Sequence, residues 1–308
     1  MLIALALLAL SPVEGLPQAK VIFDADMDSD CDDVAALGVL HALADRGEAE
    51  ILATISSSTN PWTPKCMDAV NTFYKRPDVP IGAPAKGVGR KSKYAQGVAE
   101  TFPHDLKEVA DAAGLYLDLL GRQPDGSVTI VTVGYLTNLA ALVGRDPELV
   151  KKKVKLWVCM GGNFIGKPAK DDLKLGNVNF TTEKEGALAA IRDWPGPILF
   201  AGREVCSVPS GVKVGARFKE LPEKHPVRHA YALYFGGEPK DRHVADLVAA
   251  LVAVRGLGER WGAETKGRMD LKPDMTFEWR EGGEQAYLLK KAPDREIEKE
   301  LEALLLKP

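Results

Sequence analysis

From residue 20 onward, short runs of aliphatic and β-branched residues alternate with longer stretches whose apolar positions recur at helical spacing. The short runs are 20–24 (KVIFD), 50–55 (EILATI), 128–133 (VTIVTV), 154–160 (VKLWVCM) and 197–201 (PILFA). Each is followed by polar or Gly-rich residues and then by a helical pattern, the signature of a mostly parallel sheet covered on both faces. The first helix is expected over 33–44, where Val34, Leu37, Leu40 and His41 share a face and Gly47 follows as a stop. A later helix carries Asp246, Val248, Leu251, Val252 and Val254 and ends near Gly256. Residues 276–289 read as a hairpin around 281–284, and 295–305 as a closing helix. The fold class is therefore α/β: an open, mostly parallel Rossmann-like sheet with helices on both faces.

No repeat or linker interrupts the pattern, so residues 16–308 are expected to form a single catalytic domain. The first ten residues, MLIALALLAL, are too short to span a bilayer but suit the apolar core of a secretory signal, with small residues permitting cleavage after Gly15. Export to the periplasm or cell exterior is the expectation, with no stable membrane span. If that segment is instead a first strand or a mis-called start, the protein is cytoplasmic.

Composition narrows the partners. The formal net charge is −3 and no long basic stripe is present, which excludes nucleic acid and leaves a small molecule. Two short basic runs, Lys86, Arg90, Lys91 and Lys93 in one loop and Lys151 to Lys153 before a strand, read as solvated surface. Cys31, Cys66, Cys159 and Cys206 form no Cys-x-x-Cys pair, so they read as buried thiols, with one disulfide allowed by export. Self-association into a homo-oligomer is left open.

The chemistry concentrates in residues 24–33, DADMDSDCDD, where Asp24, Asp26, Asp28, Asp30, Asp32 and Asp33 occur without a Lys or Arg among them. Two carboxylates ~4 Å apart repel by about 4 kcal/mol at an effective dielectric near 20, so a compact loop needs protonation or a cation. Because every nearby donor is an oxygen, a hard ion is expected, and Ca²⁺ suits the set better than Zn²⁺. An EF-hand fails on spacing: starting at Asp24, Asp26 or Asp28, the sixth position is Ser29, Cys31 or Asp33 rather than Gly, and no Glu stands at the twelfth. The loop leaves the carboxyl end of the first strand, where open α/β sheets place their ligands.

A strand, Asp-x-Asp, a short gap and Asp-Asp before an Ala/Leu-rich helix resembles the inosine-uridine preferring nucleoside hydrolases, matched here by Asp24, Asp26, Asp32, Asp33, Ala36 and Leu37. The gap is two residues longer than in the best-known members and carries the additional Asp30, leaving the roles of Asp28 and Asp30 undecided. The resemblance continues through SSSTNPW (56–62), VTVGYLTNLA (131–140), MGGNF (160–164), GNVNFTTEKEGA (176–187), Glu204 in AGREV and Asp246 in RHVADLVAALVAV (242–254). It implies a calcium ion held by Asp26, Asp33, the Val133 carbonyl and Asp246. It also implies a sugar clamp of Asp32, Asn60, Asn177 and Asn179, with Glu204 beside it.

The implied activity is calcium-dependent hydrolysis of the N-glycosidic bond of a nucleoside or related N-riboside, releasing ribose, with Asp26 as general base. Where family members carry a His before the late Asp, this chain has Ala245, so His243 or Arg242 is the candidate to assist the leaving group. Two rivals remain: a non-catalytic binder of ribosyl ligands, and a dehalogenase-type phosphatase with Asp24 as nucleophile, for which the Asp171–Asp172 pair sits in a Lys-rich loop rather than after an apolar strand.

Overall fold

The computed structural model describes residues 18–28, 30–165, 178–206 and 211–307. The expected export signal, Asn177 and the Asp171–Asp172 pair lie outside the described residues. The strands are β1 (Ala19–Ala25), β2 (Ala49–Ser56), β3 (Ile81–Ala83), β4 (Ala110–Asp111), β5 (Val128–Thr132), β6 (Val154–Met160), β7 (Ile198–Ala201), β8 (Lys213–Val214), β9 (Arg242–His243), β10 (Trp261–Leu271), β11 (Phe277–Glu281) and β12 (Gln285–Lys290).

Ten of them form one sheet in the order β11-β10-β12-β7-β6-β5-β1-β2-β3-β4. Pairing is parallel from β12 through β4, and β10 runs antiparallel to both β11 and β12. The five strands expected from apolar runs are β1, β2, β5, β6 and β7, which stand side by side within the eight-stranded parallel region. Such strands are buried on both faces, which is why they read as continuous rather than alternating apolar segments.

The expected hairpin at 276–289 is corrected. β11 and β12 are both present, but β10 lies between them, with Gly267 opposite Glu281 on one side and Gln285 on the other. β10 (WGAETKGRMDL) was missed because its charged and polar positions hide its few buried ones. β8 and β9 form a separate two-stranded antiparallel ribbon.

One core packs on each face of the sheet. The first gathers Leu37, Leu40, Val248, Leu251 and Leu301, and the second Tyr116, Leu120, Leu139, Leu142 and Ile191. Helices Asp32–Asp45 and Ala245–Arg255 belong to the first core and pack against one another. Both are buried over nearly their whole length, so neither has a polar face. A Cβ at Gly38 would come within 3.0 Å of Leu305 and 3.1 Å of Val227, so any larger residue there would press on these two side chains. Among the described residues no helix is long and apolar enough to cross a membrane.

The packing of these two helices positions the chemistry. Asp32 and Asp33 occupy the first turn of one and Asp246 the first turn of the other, each buried. A helix N-terminus favours negative charge, so both dipoles support carboxylates at this place.

Candidate active site

The loop after β1 turns sharply to fold its aspartates inward. Met27 adopts a left-handed conformation at φ 49°, and the Asp28 amide donates back to Asp26 Oδ1 at 3.1 Å. The Met27 amide donates to Asp33 Oδ1, whose other oxygen accepts from the Tyr94 hydroxyl at 3.2 Å. Carboxylate oxygens of Asp30, Asp32 and Asp246 then lie within 4.8 Å of one another. Asp26 and Asp33 stand close enough to act electrostatically on this trio.

Five carboxylates therefore form one acidic floor, four of them buried and Asp30 half-buried. Burial pushes Asp26 up to about 7, with the charges of Asp28 and Asp30 adding to it. Burial and mutual repulsion also raise Asp32, Asp33 and Asp246 well above the usual carboxylate range. Arg242 answers part of the charge through an ion pair with Asp30. Asp32 Oδ1 is buried without a hydrogen-bond partner. An all-oxygen donor set, short of positive charge and with an unsatisfied buried oxygen, fits a hard divalent cation.

Asp24 is separate. Within β1 its side chain shares the face of Ile22, opposite Phe23 and Ala25, and there Oδ2 accepts from the Tyr116 hydroxyl and Asn138 Nδ2, both at 3.0 Å, whereas Asp26 lies beyond the strand's end. It is fully buried, and burial pushes it up to about 7. The phosphatase alternative needs this group as an accessible nucleophile, and its environment argues against that.

Asp28 ties three loops together. It accepts from Ser58 Oγ at 2.6 Å, Asn60 Nδ2 at 3.1 Å, the Arg90 amide at 2.9 Å and the Tyr135 hydroxyl at 3.4 Å. Asn60 also donates to the Arg90 carbonyl and accepts from the Trp62 amide, so its amide is engaged in holding the site's wall.

Asn179 is brought to the Val133 carbonyl, to which its Nδ2 donates at 2.8 Å, and it also reaches the Met160 carbonyl at 3.3 Å. Glu204, in the helix Arg203–Cys206 just after β7, accepts from the Phe164 amide at 3.3 Å, while its Oε1 is buried without a partner. Burial pushes its carboxyl up to about 7.

His243 borders the cluster beyond Arg242, and β9 pairs it with Lys213. Burial, then the charges of Lys213, Arg242 and Arg203, lowers its imidazole below the ordinary value. In the resting protein it is therefore neutral at neutral pH. Ala245 adjoins Asp246 at the start of its helix.

Sequence reasoning left Asp30 unassigned and did not single out Tyr94, Tyr135 or Ser58. Only Asp30 carried a usable signal, as one more acid in the crowded loop. The other three are ordinary polar residues whose role depends on loop closure.

Cys31, Cys66 and Cys159 are buried free thiols, as expected. Burial raises all three, which makes them unreactive.

Comparison with known proteins places this site in a family. A stretch of 154 residues, 46% of this chain, is 33% identical to the pyrimidine-specific ribonucleoside hydrolase RihA of Salmonella schwarzengrund. Another of 117 residues, 35% of the chain, is 33% identical to uridine nucleosidase 1 of Arabidopsis thaliana. The matched stretches span only 48% and 32% of those relatives. The fold matches the crystal structure of the inosine-uridine preferring nucleoside hydrolase from Bacillus anthracis with a TM-score of 0.71 at 16% identity, over 94% of this chain and 100% of that one. The model of the family described as inosine-uridine preferring nucleoside hydrolase matches residues 21–276, which includes Asp26, Asp30, Asp32, Asp33, Asn179 and Asp246, and the chain belongs to that family.

Proposed function

We propose that the protein hydrolyses the N-glycosidic bond of ribonucleosides or related N-ribosides and releases ribose, using a bound calcium ion. The observation that carries the reading is the floor of Asp26, Asp32, Asp33 and Asp246, all buried, with the half-buried Asp30 beside them, at the carboxyl edge of a parallel sheet with too little positive charge to balance it. Oxygen-only ligands select a hard ion, and the irregular, loop-supplied donor set suits calcium better than the strict octahedron magnesium demands.

Asp26, Asp33 and Asp246, with the Val133 carbonyl, would hold the ion, and Asp30 and Asp32 are near enough to complete its shell. When bound, the ion supplies charge to bind the sugar hydroxyls and to acidify a water. The chain's own residues supply the rest. Asp26, beside the ion and the water, would act as the general base that takes the proton of the attacking water. Asp32 and Asn179 would orient the ring, and Asn60 would act by fixing the wall on which they rely. Water's oxygen joins C1′, the bond from C1′ to nitrogen breaks, and a proton ends on the departing nitrogen.

The test is turnover of p-nitrophenyl riboside, inosine and uridine by the calcium-loaded protein, following free ribose. Ribose release from inosine or uridine, lost in Asp26→Asn, is the expected result, with p-nitrophenyl riboside, an activated O-riboside, as the reference for ribosyl transfer to water. Stabilisation by these ligands without product would overturn the hydrolase in favour of a ribosyl-binding protein.

A further inference from the structure

The acidic floor is bordered by cations that the catalytic reading leaves unused. The loop carrying Lys86, Arg90, Lys91 and Lys93 is pinned over the site: the Arg90 amide donates to Asp28, the Asn60 amide to the Arg90 carbonyl, and the Val88 amide to Glu183 Oε1 at 2.6 Å. Its backbone is therefore tied to the site, while Lys86, Arg90, Lys91 and Lys93 are exposed, as the sequence suggested. From this loop Lys93 Nζ reaches 5.0 Å from the centroid of the Tyr234 ring, and Arg242 Cζ lies 5.4 Å from the same centroid. Two positive groups are thus gathered on one half-buried aromatic ring, close beside the carboxylate trio.

This arrangement is incomplete as it stands. Lys93 makes no ion pair with a carboxylate among the described residues, and like charges drawn to one ring repel. Arg242 is only partly exposed, and its Nε is a buried donor without a hydrogen-bond partner. Its carboxylate partner, Asp30, belongs to the trio that would hold the metal. A divalent cation there would claim a share of the Asp30 charge and leave Arg242 with donors to spend. Two cations flanking one ring at the mouth of a ribose site suit a dianion, and Arg is the side chain whose donor fork matches phosphate oxygens.

We propose that the ribosyl substrate carries a phosphate group, held between Lys93 and Arg242 beside the Tyr234 ring. This assignment rests on the ribosyl reading above and specifies its substrate class: N-ribosyl phosphates in preference to unphosphorylated nucleosides.

The test compares D-ribose with D-ribose 5-phosphate by calorimetry on the calcium-loaded protein, so it does not require turnover. The 5-phosphate should bind at least about tenfold more tightly in the parent, as expected for charge-assisted contacts. That ratio should fall several-fold in Lys93→Met and, separately, in Arg242→Met. Reading the ratio within each variant cancels any change the substitution makes to sugar binding as a whole, and measurable ribose binding shows that the variant is folded. Equal affinity of the parent for both sugars would overturn the phosphate assignment while leaving the ribosyl reading intact. A tenfold preference that persists in both variants would also overturn it, placing the phosphate on the metal instead. Binding of neither sugar would remove the ribosyl reading and this assignment with it.

Discussion

Asn179 donates from Nδ2 to the backbone carbonyl of Val133 at 2.8 Å, joining the chain after β6 to the end of β5 at the edge of the carboxylate floor. The same nitrogen reaches the Met160 carbonyl, so one buried amide serves two carbonyl oxygens. Replacing it with Leu leaves both oxygens buried without that donor, a cost of about 1–3 kcal/mol. Urea unfolding of Asn179→Leu should show that loss, and ribose affinity should fall as well. A variant as stable as the parent would mean that water replaces the amide.

The carboxylate floor makes opposite predictions with and without metal. In metal-free protein, folding must bury Asp246 either charged among its neighbours or at the cost of protonating it, and Asp246→Asn removes that cost, so its melting temperature should rise above the parent's. Adding calcium at about 100 times its dissociation constant should stabilise the parent by about 2.7 kcal/mol and the variant far less. The two melting curves should therefore change order when calcium is added and revert with a chelator. An equal calcium response in both proteins would remove Asp246 from the site.

A separate prediction concerns pH and lies far from the metal. His41 is buried, stacks on Tyr74 at 4.6 Å between ring centroids and pairs through Nε2 with Asn71 Oδ1 at 2.9 Å. Arg76 and Asp45 are the charged groups that face it. Burial pushes its imidazole down to about 3, against an ordinary value near 6.5. Between those values the unfolded chain binds a proton that the folded protein refuses. Stability from this group is thus intact above pH ~6.5 and is lost by about 1.4 kcal/mol per unit as pH falls below it. His41→Gln removes the titration, so the parent's stability relative to the variant should decline by that slope from pH 6 to pH 4. A difference independent of pH would show that His41 is protonated in the fold.

Much of this site was legible because it is built from local crowding. Six aspartates within ten residues announce a cation whatever the fold, and the order of the later blocks brought Asn179 and Asp246 to the same edge. The central strands were legible too, since parallel strands buried on both faces are apolar throughout. β10 was not, because exposed Glu264, Lys266 and Arg268 interrupt its apolar positions and its place between β11 and β12 depends on pairing over distance. The Lys93 loop was read as plain surface for a similar reason. Its side chains are exposed, and only the hydrogen bonds from its backbone to Asp28 and Glu183 reveal that it overhangs the site. Asp30 could be seen as an acid, but its partner Arg242 stands 212 residues away.

The last prediction concerns the departing base. The position before Asp246 is Ala245, which can neither donate nor accept a proton. His243 is the nearest candidate acid in sequence, yet burial and the charges of Lys213, Arg242 and Arg203 keep its imidazole neutral at neutral pH, with no proton stored for a leaving group. Asp26 and the sugar-orienting groups are unaffected by either feature. The barrier should then depend on how well the leaving group bears charge itself. At pH 7 p-nitrophenyl riboside should be cleaved at least ~100-fold faster than inosine or uridine, the factor usually attributed to one general acid. His243→Ala should change neither rate by more than a few-fold. A large loss on nucleosides with little loss on p-nitrophenyl riboside would instead make His243 the acid, protonated only once substrate is bound. If the parent cleaves inosine as readily as the activated riboside and His243→Ala is harmless, a different donor serves the base, and the neutral carboxyl of Glu204, held near 7 by burial, becomes the group to replace next.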